Sequence, residues 1–232
     1  VTVGYQLSYP DETISQLSPQ ECTKLKREGL YICMIKNPNP VAKNVTPQLS
    51  DAAFIREKVP MTKEEIRHVS ICKLHLKSDS VLYDVGSGTG SIAVEAASLS
   101  DDMEVYAIEQ KENAVQLITQ NKEKHGLENI HVIKAKAPDG MDNLPVPTHA
   151  FIGGSGGNLK EIIETLKAKN PHIRIVINAI SMETICEIKE ILSAYDVKNE
   201  DIVQLQVSRS KQIGHYHLMQ AENPVWICSF EF

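Results

Sequence analysis

The 232-residue sequence predicts an α/β fold: an open, largely parallel sheet with helices on both faces and an antiparallel pair at one edge. Three observations carry this. From residue 62 onward, apolar strand-like runs alternate with amphipathic helical patterns. The stretch DVGSGTG, residues 84–90, sets three glycines between the first of those runs and a helix. The last two apolar runs, DIVQLQV and PVWICSFEF, have no helix between them, so they are expected to pair antiparallel at the sheet edge.

In chain order, TVGYQLSYPDETI reads as a loop and LYICMIKNP as one apolar strand. A segment of about 40 residues cannot bury its own core, so residues 1–40 are expected to be the tail of another domain, and the opening Val1 suits a piece of a longer chain. The proline-bearing stretch from Asn37 to Asp51 reads as a linker, placed at 41–51, with the main domain over 52–232. Thr62 and Glu65 form a T-x-x-E capping box, opening a helix with Ile66, Val69 and Cys72 on one face. VLYDV (81–85) is a strand followed by a helix from about Ser91. EVYAIE (104–109) precedes a helix with Ala114, Leu117 and Ile118 inward, stopped by Gly126. IHVIK (130–134) and HAFI (149–152) are strands. Leu159, Ile162, Ile163 and Leu166 make an apolar stripe at i, i+3, i+4 and i+7. IRIVINAI then leads to a helix opened by Ser181 that carries Ile185, Ile188 and Leu192.

Composition narrows the function classes. Net charge is −6 with Lys and Arg dispersed, so no electrostatic footprint for nucleic acid is expected. No apolar run is long enough to span a membrane. Five cysteines (22, 33, 72, 186, 228) are odd in number and form no CxxC pair, which points to a reduced, cytoplasmic protein with packing cysteines.

Gly86, Gly88 and Gly90 lie where a strand turns into a helix, so a ligand can reach bare backbone there. The dinucleotide fingerprint needs a third glycine or alanine at position 91, where this chain has Ser91. The observed spacing suits a ligand without a pyrophosphate. Glu109 ends the second strand, where a carboxylate can accept both hydroxyls of a ribose. A nucleoside joined to an amino acid, S-adenosylmethionine, fits both features.

With these residues in place, 46–232 resemble the decarboxylating C15 methyltransferases of cobalamin biosynthesis, which act on precorrin-6B or its cobalt form. The stretches that carry the likeness are DAAFIREKVPMTKEEIR, DVGSGTGS, VYAIE, AKAP, FIGGSGGNL, INAISMET and NPVWI. DVGSGTG alone would indicate only a class I S-adenosylmethionine-dependent methyltransferase, with its Rossmann-like sheet. VGYQLSYPDETI and IKNP resemble the end of the tetrapyrrole methylase that performs the partner C5 methylation, a domain that relatives carry fused or separate. The resemblance implies cofactor contacts at Thr62, Gly86, Ser87, Gly88, Thr89, Gly90, Glu109 and Ala137. It implies a tetrapyrrole substrate and a homo-oligomer, a tetramer in relatives. Lys136 stands where many relatives have Asp, and Pro147–Thr148 where they often have Pro-Asp.

The second glycine loop, Gly153, Gly154, Ser155, Gly156 and Gly157, is expected to leave room for a wide, flat macrocycle beside the cofactor. Arg209, in VSRSKQ, is a candidate partner for substrate carboxylates, with a solvated loop charge as the alternative. His215 and His217 lack a third nearby ligand, so no metal site is assigned, and no catalytic acid, base or nucleophile is assigned either. Still open on the residues alone are a methyltransferase acting on RNA or another small molecule and a non-catalytic S-adenosylmethionine-binding subunit. GGSGG replaces the N/D-P-P-Y/F-like loop of nucleic-acid amino-methyltransferases, and Ser91 argues against a nicotinamide enzyme.

Overall fold

A computed structural model describes residues 1–38 and 46–232; residues 41–45 of the expected linker lie outside the described residues. The chain divides into two units, Val1–Ala42 and Lys43–Phe232. In the first, β1 (Thr2–Tyr5) lies between β2 (Thr13–Gln16) and β3 (Tyr31–Met34) in a small antiparallel sheet. A short helix α1 (Pro19–Cys22) is opened by a Ser18–Glu21 capping box. Two of these strands fall where the sequence suggests a loop. Strands of four residues are too short for alternation to declare itself.

The second unit opens with a 3₁₀ turn at Asp51–Ala53, then α2 (Glu64–Leu74), β4 (Val81–Val85), α3 (Ser91–Ala97), β5 (Glu104–Glu109) and α4 (Glu112–Lys124). It continues through β6 (Ile130–Lys134), β7 (His149–Ile152), α5 (Leu159–Lys169), β8 (Arg174–Ala179) and α6 (Met182–Ala194). The strands β9 (Lys198–Leu205), β10 (Ser208–Ile213), β11 (Tyr216–Ala221) and β12 (Val225–Glu231) complete it. Seven of these strands form one sheet in the order β6-β5-β4-β7-β8-β12-β9. The first five are parallel; β12 runs antiparallel between β8 and β9. The expected edge pair is present, and order reverses between β4 and β7.

Alternate strand residues feed two cores. Tyr83, Val85, Ile152 and Ile177 pack under the stripe Leu159, Ile162, Ile163 and Leu166 of α5, with Ile188 and Ile191 of α6. Leu82, Val105, Ala107 and Phe151 face Ile71 and Leu74 of α2, Ile92 of α3 and Ile118 of α4. Fully burying each such side chain contributes about 1.5–3 kcal/mol, so the cores hold the sheet rigid beneath the loops at its carboxyl edge.

Three expectations are corrected. Thr62 does not cap α2; the cap position is Lys63, without a side-chain bond, and the helix buries Ile66, Arg67, Ser70, Ile71 and Leu74 while Cys72 is exposed. The cysteines do not serve as packing residues apart from Cys228, since Cys33, Cys72 and Cys186 are exposed and Cys22 is half-buried. Between β9 and β12 the chain forms the antiparallel hairpin β10–β11, not a loop; His217 faces Gln212 across it.

Candidate functional site

At the carboxyl ends of β4, β5, β7 and β8 lies a cavity of about 960 Å³. Its position is the switch point of the sheet, where strand order reverses and loops diverge to leave a crevice. The first glycine loop enters it from β4. Gly86, Gly88 and Gly90 have φ of +70°, +58° and +78°, which only glycine adopts without strain. A Cβ on Gly86 would stand 2.4 Å from the carbonyl oxygen of Gly154, and one on Gly88 would stand 3.0 Å from that of Pro60. The two glycine loops thus touch backbone to backbone, and bare backbone is the condition of that contact.

Glu109 ends β5 and is 8 % exposed. One of its carboxylate oxygens accepts from the Gly88 N–H at 3.0 Å and the other from the Lys111 N–H at 2.9 Å. It therefore fixes the glycine loop against the start of α4, with further lone pairs on each oxygen. Asp84, fully buried at the end of β4, accepts from the Ser87 hydroxyl at 2.6 Å and the Ala93 N–H at 3.2 Å. Its Oδ1 and the Thr89 hydroxyl are buried without a partner among the described residues. Burial, reinforced by the nearby charge of Glu109, pushes the Asp84 carboxyl up to about 7, against the two hydrogen bonds that lower it. Such an acid keeps its proton in the native state while the unfolded chain releases it from about pH 3.8 upward. Its contribution to stability is therefore complete below that pH and is lost as pH rises through about 7. Urea unfolding of wild type and Asp84→Asn should give a stability difference that shifts against wild type between pH 4 and 7. A pH-independent difference would show that Asp84 ionises normally.

A strap of residues 48–62 closes one side of the cavity. Glu95 accepts from the N–H groups of Gln48 and Leu49, and Asn121 bonds both the N–H and the carbonyl of Ile55 while donating to the Thr89 carbonyl. Arg67, with no exposed surface, joins these points. It pairs with Glu95 at 2.9 Å and Asp51 at 3.2 Å, donates to the carbonyls of Leu49 and Thr62, and lies over the Phe54 ring. Residues 48–51, which the sequence assigns to the linker, are part of this structure.

Of the residues the sequence singles out, Thr62, Gly86, Ser87, Gly88, Glu109, Ala137, Gly153, Gly154, Ser155 and Gly156 line the one cavity. Thr89 and Gly90 stand behind it. Thr89 is fully buried, and a Cβ on Gly90 would meet Ile118 at 3.1 Å, so these two positions serve the packing of the loop onto α3 and α4. Gly157, at φ +86°, turns the chain toward α5 outside the cavity lining. Arg209 is also outside the lining, because Glu65 of α2 and Glu222 hold its guanidinium. The cavity adds residues that sequence reasoning missed: Lys58, Gln110, Asn178 and the segment Gln220–Asn223. Asn178 had a signal, being polar at the end of a buried parallel strand. Gln220–Asn223 had none, since the hairpin that places it was not foreseen.

The sequence profile of a family described as precorrin methyltransferase domain matches residues 52–231. A Pyrobaculum calidifontis protein named probable cobalt-precorrin-6B C(15)-methyltransferase (decarboxylating) is 37 % identical over 185 residues, covering 78 % of this chain and 94 % of that protein. A Methanocaldococcus jannaschii protein of the same name is 40 % identical over 182 residues, covering 77 % of this chain and 95 % of its own. Among solved structures, a precorrin-6Y C5,15-methyltransferase from Geobacter metallireducens superposes with a TM-score of 0.76 at 31 % identity, covering 83 % of this chain and all of that one. The glycine loop, the acid at the end of β5 and the second glycine loop lie within the matched span, and the chain belongs to the precorrin methyltransferase family.

Proposed function

We propose that this protein transfers a methyl group from S-adenosylmethionine to C15 of a corrin precursor, precorrin-6B or its cobalt form, with loss of the ring-C acetate carboxyl as carbon dioxide. The observation that carries this reading is the single cavity shared by two touching glycine loops, Gly86–Gly88 and Gly153–Gly156, beside Glu109. The residues fit the cofactor: the left-handed glycines Gly86 and Gly88 bare the loop where it lines the cavity, and the Glu109 oxygens retain lone pairs for ribose hydroxyls. When bound, the cofactor supplies an electrophilic methyl on a sulfonium. Glu109, Gly88 and Ala137 orient the nucleoside. The second glycine loop admits a flat acceptor to in-line distance, and alignment is the main source of rate in such a displacement. The macrocycle supplies the attacking carbon, C15, which gives up its proton, and the acetate carbon that loses carbon dioxide keeps the electron pair and takes up a proton to become a methyl group. No enzymic nucleophile is needed.

Arg209, released from Glu65 and Glu222, is proposed to meet a substrate carboxylate at the cavity mouth. Self-association, with a tetramer as the proposed state, is supported by the β10–β11 hairpin. All its strand residues are exposed, including Ile213, Tyr216, Leu218 and Met219, and a two-stranded hairpin is marginal alone in water. The first unit is proposed to be the end of a C5-methylating domain; its exposed Ile14, Ile32 and Met34 suit a surface that the rest of such a domain would cover. Among the described residues no helix is long and apolar enough to cross a membrane. Five free cysteines suit a reducing cytoplasm.

The test is incubation with each corrin precursor and labelled cofactor, followed by mass analysis. One methyl gained and one carbon dioxide lost per turnover is expected; methylated RNA, or no methyl transfer at all, would overturn the reading. Glu109→Ala should weaken cofactor binding by about 1–3 kcal/mol, roughly 10- to 100-fold, since ribose hydroxyls and the Gly88 N–H lose an acceptor. Unchanged affinity in titration calorimetry would remove Glu109 from the site.

A further inference from the structure

Four lysines and two acids line the cavity: Lys58, Lys63, Lys111 and Lys136 against Glu109 and Glu222. In a chain of net charge −6 this is a local excess of the opposite sign. Two of the six are matched by residues outside the lining, Lys63 by Asp51 at 3.6 Å and Glu222 by Arg209 at 3.8 Å. Lys58, Lys111 and Lys136 are exposed, and among the described residues their ammonium groups have no carboxylate in salt-bridge range. They come from three separate elements: the strap, the start of α4 and the loop after β6.

Two of the three positions carry a local oddity. Lys111 occupies the cap position of α4 without a side-chain cap bond, where a short oxygen-bearing side chain would stabilise the helix and a cation meets the positive end of its dipole. A local rule broken beside a cavity is expected where the residue serves a ligand. Lys136 lies against the second glycine loop; a Cβ on Gly156 would be 3.4 Å from its Cε. The missing side chain at Gly156 thus lets the lysine stem lie along the part of the cavity open to the acceptor.

We infer that Lys136, with Lys58 and Lys111, forms a cationic rim that binds the carboxylate arms of the acceptor and selects a polycarboxylated macrocycle. The inference rests on the reading of the acceptor as a corrin precursor and names the side chains that recognise it. Flexible ammonium groups suit this task, because acetate and propionate arms are themselves mobile and each contact is a point charge rather than a fixed fork.

The experiment uses the whole chain with S-adenosylhomocysteine bound and two soluble porphyrins, one with eight carboxylates and one with four, titrated by porphyrin fluorescence at low and high salt. Wild type should bind the eight-carboxylate porphyrin more tightly, with steeper salt dependence. Lys136→Gln should weaken it about 2- to 5-fold, and Lys136→Glu about 10-fold, with a flatter salt response. Lys124→Glu, the same charge change on an exposed part of α4 outside the lining, should leave binding unchanged. Equal effects of Lys124→Glu and Lys136→Glu, no porphyrin binding by wild type, or loss of cofactor affinity in Lys136→Glu would each overturn the rim. Corrin turnover with an unaltered KM in Lys136→Glu overturns the rim alone and leaves the proposed function standing. Lysine-dependent porphyrin binding without turnover of any corrin precursor supports the rim and removes the proposed function.

Discussion

Arg67→Met is expected to cost the second unit about 3–5 kcal/mol, because it takes the guanidinium from the buried carboxylate of Glu95 and leaves that charge to two backbone N–H groups and His68 at 3.6 Å. For a domain of this size that is a fall in Tm of roughly 10 °C. The cost is larger than for an ordinary ion pair because the guanidinium also satisfies the carbonyls of Leu49 and Thr62 and covers Phe54. Those contacts hold both ends of the strap that closes the cavity. Any folded fraction of the variant should therefore bind S-adenosylmethionine more weakly, although Arg67 lies outside the cavity lining. Pairing the change with Glu95→Leu should recover part of the loss, since the stranded charge is then gone, whereas the carbonyls of Leu49 and Thr62 and the N–H groups of Gln48 and Leu49 are left without these partners. Urea unfolding checks all three proteins. A single variant within about 1 kcal/mol of wild type would show that water reaches Glu95 and that the cluster is not the fastening described.

Gly86→Ala and Gly154→Val are expected to fail in different ways, although the two glycines touch. A methyl on Gly86 stands 2.4 Å from a backbone oxygen that cannot swing aside, at φ +70°. Left-handed strain of about 1–2 kcal/mol and overpacking of about 1–3 kcal/mol should both appear, so stability and cofactor binding fall together. At Gly154 an added Cβ meets nothing within 4 Å, and its φ is not in the left-handed region. Gly154→Val should fold with nearly wild-type Tm and keep its cofactor affinity. Its isopropyl group fills space the acceptor needs, so turnover should drop about 100-fold, the scale of a misplaced reactant. Gly156 is a poorer probe because its φ of +59° adds strain to any side chain. A folded Gly154→Val enzyme with full turnover would sink the acceptor role of the second loop, and one that loses only cofactor affinity would reassign that loop to the cofactor.

What the sequence determined by itself was local. Periodicity placed α5 through Leu159, Ile162, Ile163 and Leu166, because a stripe at helical spacing has one way to be buried. Glycine spacing and the acid closing the next strand marked the ends of β4 and β5, because those features lie within a few residues of the turns they serve. The antiparallel β12 followed from the missing crossover helix. Partners were decided only by the tertiary structure. Nothing in the sequence marks Arg67, on which Leu49, Asp51, Thr62 and Glu95 converge from three segments. Thr62 loses its capping role because the helix begins one residue later, and Arg209 stands outside the cavity lining, held by Glu65 and Glu222. The hairpin β10–β11 is equally hidden: both strands are exposed on every residue, so no apolar alternation announces them. That Gly86 must be glycine to seat Gly154 is invisible in either loop alone. Burial against one's own helix or strand leaves a repeat in the chain, whereas a contact between distant segments leaves only the residue that permits it.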